Sequence, residues 1–151
     1  MFDHDYKNYP ELTNEQLEVM QFSSPHIQII SDFMAKVVKV HDGDTVTLRT
    51  DFRDFDFPLR LINIDAPEMS EGGEGARDWL KSKLLNQEVA IGIDSLNRVG
   101  KYGRLLGDVY YNGMSMSEEM LQLGIVKPFG TKKEGQPPSI YKMFNLKQWG
   151  L

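Results

Sequence analysis

The sequence predicts a mainly β protein of the α+β class, a small closed barrel of five strands with helices packed on it. Three observations carry this prediction. Three strand-like segments follow one another between residues 35 and 64, a single amphipathic helix comes next, and two more strands with a second helix complete the pattern. At 151 residues the chain is about one domain, and its 40% hydrophobic and 26% charged residues are those of an ordinary globular protein.

Residues 1–33 read as an acidic extension with one short helix, because Thr13 and Gln16 fit a capping box and Leu12 and Leu17 the matching hydrophobic staple. From Ala35 the pattern turns to β. Val38, Val40, Val46 and Leu48 have strand spacing, interrupted only by Asp42-Gly43-Asp44, where a bend or bulge at Gly43 is expected. The polar run Thr50 to Asp54 is a hairpin loop leading into a strand over 55–64. After Pro67, residues 70–75 (SEGGEG) form a mobile loop before a helix in which Ala76, Trp79, Leu80 and Leu84 share one face. Residues 89–94 form a strand, 95–103 a loop, and 105–111 another strand ended by the Asn112-Gly113 turn signal. Ser117 is the expected N-cap of the second helix, with Met116 and Leu121 as its staple and Gly124 as its stop. Pro137 and Pro138 precede a short C-terminal helix with Ile140, Met143 and Phe144 on one side. The order β-β-β-α-β-β-α is that of an OB-type barrel. It divides the chain into an extension (1–33), a barrel domain (34–130) and a C-terminal loop and helix packed on the domain (131–151).

Zero cysteines removes disulfides, thiolate metal sites and cysteine nucleophiles, so any metal is held by oxygen or histidine. No apolar run approaches a membrane span and the first residues lack a signal-peptide pattern; a soluble, cytoplasmic or otherwise intracellular chain with no membrane partner is expected. The net charge of −5 argues against a nucleic-acid partner only until its distribution is considered. Residues 1–33 hold six acids against Lys7, whereas the rest of the chain is neutral. Within it Arg98, Lys101 and Arg104 form one basic group, and Lys127, Lys132 and Lys133 a second, and such local patches decide phosphate binding.

Two segments break the economy of a plain barrel. Asp42 and Asp44 interrupt one β-like run, and "RLINIDAPE", Arg60 to Glu68, ends an apolar strand in two carboxylates. Asp44 and Asp65 are hard oxygen ligands that a barrel can bring together, and with a backbone carbonyl and water they suit calcium. Asp-Gly also occurs at turns for backbone reasons, and Glu68 alone reads equally as a solvated surface acid. Arg60, within an apolar strand, either pairs with a nearby aspartate or is aimed at phosphate. Arg104 in "GKYGR", beside Lys101 and Tyr102, is a second guanidinium in a glycine-flexed loop, or simply a basic surface turn. Together the residues match phosphodiester hydrolysis: a divalent ion on a phosphoryl oxygen, Glu68 on the attacking water, and two arginines on the developing charge. His41 reads as packed or solvated and Trp79 and Trp149 as core residues, while Tyr102 and Phe129 are the better stacking candidates.

"DGDTV", "RLINIDAPE" and "KYGR", in this order with a helix between the second and third, resemble the staphylococcal nuclease (thermonuclease) family over about Ala35 to Phe129. The resemblance implies an OB-fold barrel and a calcium-dependent endonuclease acting on DNA and/or RNA, leaving 3′-phosphate ends. It implies Asp44 and Asp65 as Ca2+ carboxylates with the main-chain carbonyl of Ala66, Arg60 and Arg104 as phosphate-binding arginines, and Glu68 as general base. Lys101 and Tyr102 would contact a terminal phosphate and Thr45 would support the ligand shell. Single-stranded nucleic acid is the expected preferred substrate. Glu71 and Glu74 stand after Glu68 where relatives carry lysines, and the region after Phe129 departs from the family pattern. A non-catalytic nucleic-acid-binding module of the same fold is the alternative, and a protein-interaction barrel whose acidic extension recruits a partner or covers the cleft is a third.

Overall fold

The computed structural model describes residues 5–20, 27–100 and 103–130. Helix α1 (Asn14–Met20) precedes strand β1 (Phe33–Asp42), which reverses at Gly43 and Asp44 into β2 (Thr45–Arg49). Strand β3 (Phe57–Leu61), the short β4 (Ile64–Asp65), a 3-10 turn (Met69–Glu71) and helix α2 (Glu74–Leu84) follow. Then come β5 (Glu88–Gly92), β6 (Leu105–Tyr111), β7 (Met114–Ser115), helix α3 (Met116–Leu123) and β8 (Lys127–Pro128). Antiparallel pairs β1–β2, β2–β3, β5–β6 and β1–β5, with the parallel pair β3–β6, close a five-stranded mixed barrel of the predicted OB-like α+β kind.

Side-chain alternation explains the closure. Phe57, Leu59 and Leu61 of β3, Leu105 and Val109 of β6, Val89 and Ile91 of β5, and Val46 and Leu48 of β2 are all buried, as a pleat with one face turned inward requires. In β1 the inward set is Ala35, Val37 and Val40, not the expected Val38 and Val40. The register shifts between Val37 and Lys39, and the extra residue flips the alternation. Ala76, Leu80 and Leu84 of α2 are buried on the core with Trp79 packed beside them, as their spacing predicts.

Several boundaries differ from the sequence expectation. The strand expected over 55–64 breaks after Leu61, where Asn63 takes φ of 68°, a conformation asparagine tolerates. The bend expected at Gly43 is a complete two-residue reversal, held by the Asp42 side chain accepting from the Asp44 N–H at 3.0 Å. The helix after Asn112-Gly113 is capped by Ser115, whose hydroxyl accepts from the Glu118 N–H, and not by Ser117. Ser117 lies within the helix and donates to the Ile62 carbonyl at 2.9 Å. Its stop is as expected, Gly124 at φ of 71°. The loop read as mobile contains the 3-10 turn and a close approach at Gly73, where an added Cβ would lie 2.2 Å from the Pro67 carbonyl oxygen. The expected C-terminal helix with Ile140, Met143 and Phe144, and Trp149, lie outside the described residues.

Residues ahead of the barrel are joined to it by side chains that the sequence did not connect. Thr13 and Gln16 form the expected reciprocal capping box, at 2.9 and 3.1 Å. Immediately before it, Glu11 accepts two hydrogen bonds from Arg53, at 2.6 and 2.7 Å, with both side chains fully buried. The Arg53 guanidinium also lies 4.5 Å over the Phe57 ring. Among the described residues no helix is long and apolar enough to cross a membrane.

Candidate active site

Strand register builds the site. Thr45 of β2 stands opposite Arg60 of β3, and Arg60 opposite Leu106 of β6, so one row across three strands carries Arg60 at its centre. Asp44 immediately precedes that row, Arg104 enters β6 two residues before it, and the break at Asn63 folds Asp65 back toward it. The short pair β4–β8 sets Asp65 opposite Lys127, and the Phe129 N–H donates to the Asn63 carbonyl at 2.9 Å. Phe129 is thereby placed with its ring 5.3 Å from the Arg60 guanidinium carbon.

Arg60 is only 5% exposed. It donates to the Asp65 carboxylate at 2.7 Å and to the Leu61 carbonyl at 2.8 Å, and the nitrogen facing Asp65 lies 3.5 Å from Asp44 Oδ2. The two expected metal carboxylates therefore meet at one guanidinium nitrogen. Asp44 is fixed by its neighbours: Oδ2 accepts from the Ala66 N–H at 3.0 Å and Oδ1 from the Thr45 hydroxyl at 3.1 Å. Arg104 donates to the same hydroxyl at 3.3 Å, which ties the second arginine to the first aspartate through Thr45. Asp42 stands beside Asp44, and burial, then hydrogen bonding to Asp44 and its like charge, push the Asp42 carboxyl up to about 6. A cavity of about 70 Å³ opens beside Arg60, lined also by Ile62, Asn63, Asn97, Leu106 and Phe129.

Glu68 caps the 3-10 turn three residues after Asp65, exposed to solvent, with its carbonyl accepting from the N–H groups of Glu71 and Gly73. Lys101 and Tyr102 lie outside the described residues. Arg98, grouped by sequence with Lys101 and Arg104, is 3% exposed and turned toward Leu12, Asn14 and Ile29. Its three donated bonds go to the protein, so it is not part of a phosphate-facing patch. His41 Nε2 forms a hydrogen bond with the Thr47 hydroxyl at 2.6 Å. Among the described residues no three histidine, aspartate or glutamate side chains gather as a metal cluster. The expected ligands Asp44, Asp65 and the Ala66 carbonyl would offer oxygen alone, a chemistry that would fit a hard divalent cation. Sequence reading assigned no role to Asp42 or Asn97; the acidic doublet around Gly43 was the only signal for the former.

The turn at Gly43 is packed from below. A Cβ there would lie 2.7 Å from the Ala76 Cβ of α2 and 2.9 Å from the Ala66 Cβ. Gly43→Ala is expected to lower stability by about 1–3 kcal/mol, the range for overpacking, and to pull Asp44 away from the Ala66 N–H. Urea denaturation reads the first effect; unchanged stability would show that the turn shifts freely.

A pair of carboxylates held at one buried arginine, with a second arginine tied to the same row through Thr45, thus stands on one rim of an OB-like barrel. The model of the family described as staphylococcal nuclease homologue matches residues 58–147, and the chain belongs to that family. The match begins after Asp44 and runs past Phe129, further than the motifs by themselves extend. The chain is 34% identical over 98 residues to an uncharacterized endonuclease of Escherichia coli O157:H7, covering 64% of this chain and 61% of that protein. It is 28% identical over 113 residues to a thermonuclease of Staphylococcus hyicus, covering 70% and 65%. It is 37% identical over 81 residues to a micrococcal nuclease of Shigella flexneri, covering 53% and 44%. The chain spans about three fifths of the length of the first of these relatives.

Proposed function

We propose that this protein is a calcium-dependent endonuclease that hydrolyses phosphodiester bonds of DNA and/or RNA, preferring single strands and leaving 3′-phosphate ends. The observation that carries the reading is Arg60, a buried guanidinium on which the Asp44 and Asp65 carboxylates converge, with Arg104 tied to the same rim through Thr45. Nuclease names among the relatives support the same substrate class.

Asp44, Asp65 and the Ala66 carbonyl would hold Ca2+, which when bound supplies positive charge to a phosphoryl oxygen. Arg60 and Arg104 bind the phosphate and stabilise the charge that grows on its oxygens as the phosphorus becomes five-coordinate. Glu68 takes a proton from the attacking water. The water oxygen bonds to phosphorus, the bond from phosphorus to the 5′ oxygen breaks, and the leaving oxygen is protonated, giving a 3′-phosphate and a 5′-hydroxyl. Lys101 and Tyr102 are assigned to a terminal phosphate of the bound strand.

The test is cleavage of labelled single-stranded DNA, titrated with calcium and then chelator, beside Glu68→Gln. Cutting is expected with calcium and not with chelator, and Glu68→Gln is expected to lower turnover by roughly 10²- to 10⁴-fold with binding retained. Full turnover in Glu68→Gln would reject the assigned base. Binding without cutting in calcium, magnesium and manganese would establish the alternative, a non-catalytic nucleic-acid-binding module.

A further inference from the structure

Arg98 and Asn14 serve no role in the chemistry above, yet the geometry around them bears on it. The Arg98 guanidinium is buried and donates to the main-chain carbonyls of Ile29 (2.6 Å) and Leu12 (2.9 Å) and to the Asn14 side chain (3.0 Å). Asn14, on the first turn of α1, uses its other amide end to donate to the Ser95 carbonyl at 2.8 Å. One exposed side chain thus grips the loop before β6 at two points. Gln28 closes the segment on itself by accepting from the Leu12 N–H and donating to the Pro10 carbonyl.

What is gripped leads directly to Arg104. The Arg98 carbonyl accepts from the Leu106 N–H at 2.8 Å, Val99 bridges Leu105, and the Gly100 N–H donates to the Arg104 carbonyl at 2.9 Å. Residues 98–100 are therefore one side of a ribbon whose other side is 104–106, and Leu106 is the β6 partner of Arg60. Asn97, one residue before Arg98, lines the cavity beside Arg60.

We infer that residues 10–14 and 28–29 form a strap that sets the position of Arg104, with Asn14 and Arg98 as positioning residues. This goes beyond the assignment of the site itself, and its activity readout rests on the nuclease reading. Lysine in place of Arg98 cannot reach three acceptors with one planar fork, and Asn14→Ala removes both grips at an exposed position without opening the core. A small displacement of a charge stabiliser is costly, since a shift of about 1 Å can cost up to 10²-fold in rate.

The experiment is a double-mutant cycle on the full chain, combined with amide hydrogen exchange. Arg98→Lys is expected to lower kcat by about tenfold, and Asn14→Ala by several-fold, on the scale set by misplacement, both with little change in KM. In an Arg104→Ala background neither is expected to lower kcat further, because residues acting through one group are not additive. The amides of Gly100 and Leu106 exchange faster in both variants, while those of Val46 and Leu59 in the barrel do not. Equal losses in the two backgrounds, or unchanged exchange at Gly100 and Leu106, would overturn the inference. If the wild-type chain cuts nothing, the nuclease reading fails separately, and the exchange arm alone decides: faster exchange confined to residues 94–106 supports the strap, and none rejects it.

Discussion

Arg60→Ala is expected to cost about 3–5 kcal/mol of stability, the range for removing one partner of a buried ion pair, and to lower turnover by roughly 10²-fold or more. Both effects come from one position. The guanidinium holds Asp65 at 2.7 Å and lies 3.5 Å from Asp44, so its loss leaves two facing carboxylates without their shared cation. It also withdraws the donor from the Leu61 carbonyl at the end of β3. Calcium discriminates between a structural and a shared role. In the variant, the carboxylate pair gains more from an added divalent cation, so calcium is expected to raise its unfolding temperature more than that of the wild type. Thermal unfolding with and without calcium measures this, and an equal shift in the two proteins would show that the cation does not use this pair.

Glu11→Ala is expected to destabilise the protein by a similar amount, about 3–5 kcal/mol. Arg53 would be left with its charge buried between Phe55 and Phe57 and with both of its bonds to Glu11 gone. The pair itself contributes less than its loss from one side suggests, because two desolvated ions start from a large penalty. Glu11→Leu combined with Arg53→Met is accordingly expected to recover most of the stability. Urea denaturation of the single and double variants decides; a double variant as unstable as Glu11→Ala would mean that the charges themselves sustain the fold.

The order of strands and helices was legible because the apolar residues of the barrel strands recur largely at strand spacing and α2 buries one stripe, so composition and spacing agree. Local punctuation was legible where the signal is local: Thr13 with Gln16, the Asn112-Gly113 turn, and Gly124. The break at Asn63 and the bulge after Val37 were not, because both depend on what the neighbouring strands require and not on the residues themselves. Ser117 was a reasonable cap by type, but the β6–β7 hairpin delivers the chain into the helix two residues earlier. At the site, Asp44, Arg60 and Asp65 stood out as charges in apolar strands, and the structure brings these three together. Arg98 was misread for a physical reason. Its neighbours in sequence are basic, but its neighbours in space are carbonyl groups from residues 12 and 29, which no spacing rule connects to it. The same holds for Glu11 and Arg53.

The strap also has a consequence for how the chain comes to be folded. Glu11 meets Arg53 across 42 residues and Leu12 meets Arg98 across 86, so these contacts close long loops. Loops of that length are entropically expensive to close before the rest of the barrel is in place. These contacts must therefore wait for the middle of the chain, and their docking is expected to fall late, after the folding barrier. Interactions made after the barrier act on the rate of unfolding and scarcely on the rate of folding. The buried pair at Glu11 is thus a brake on opening: it lengthens the lifetime of the assembled barrel without hastening its assembly.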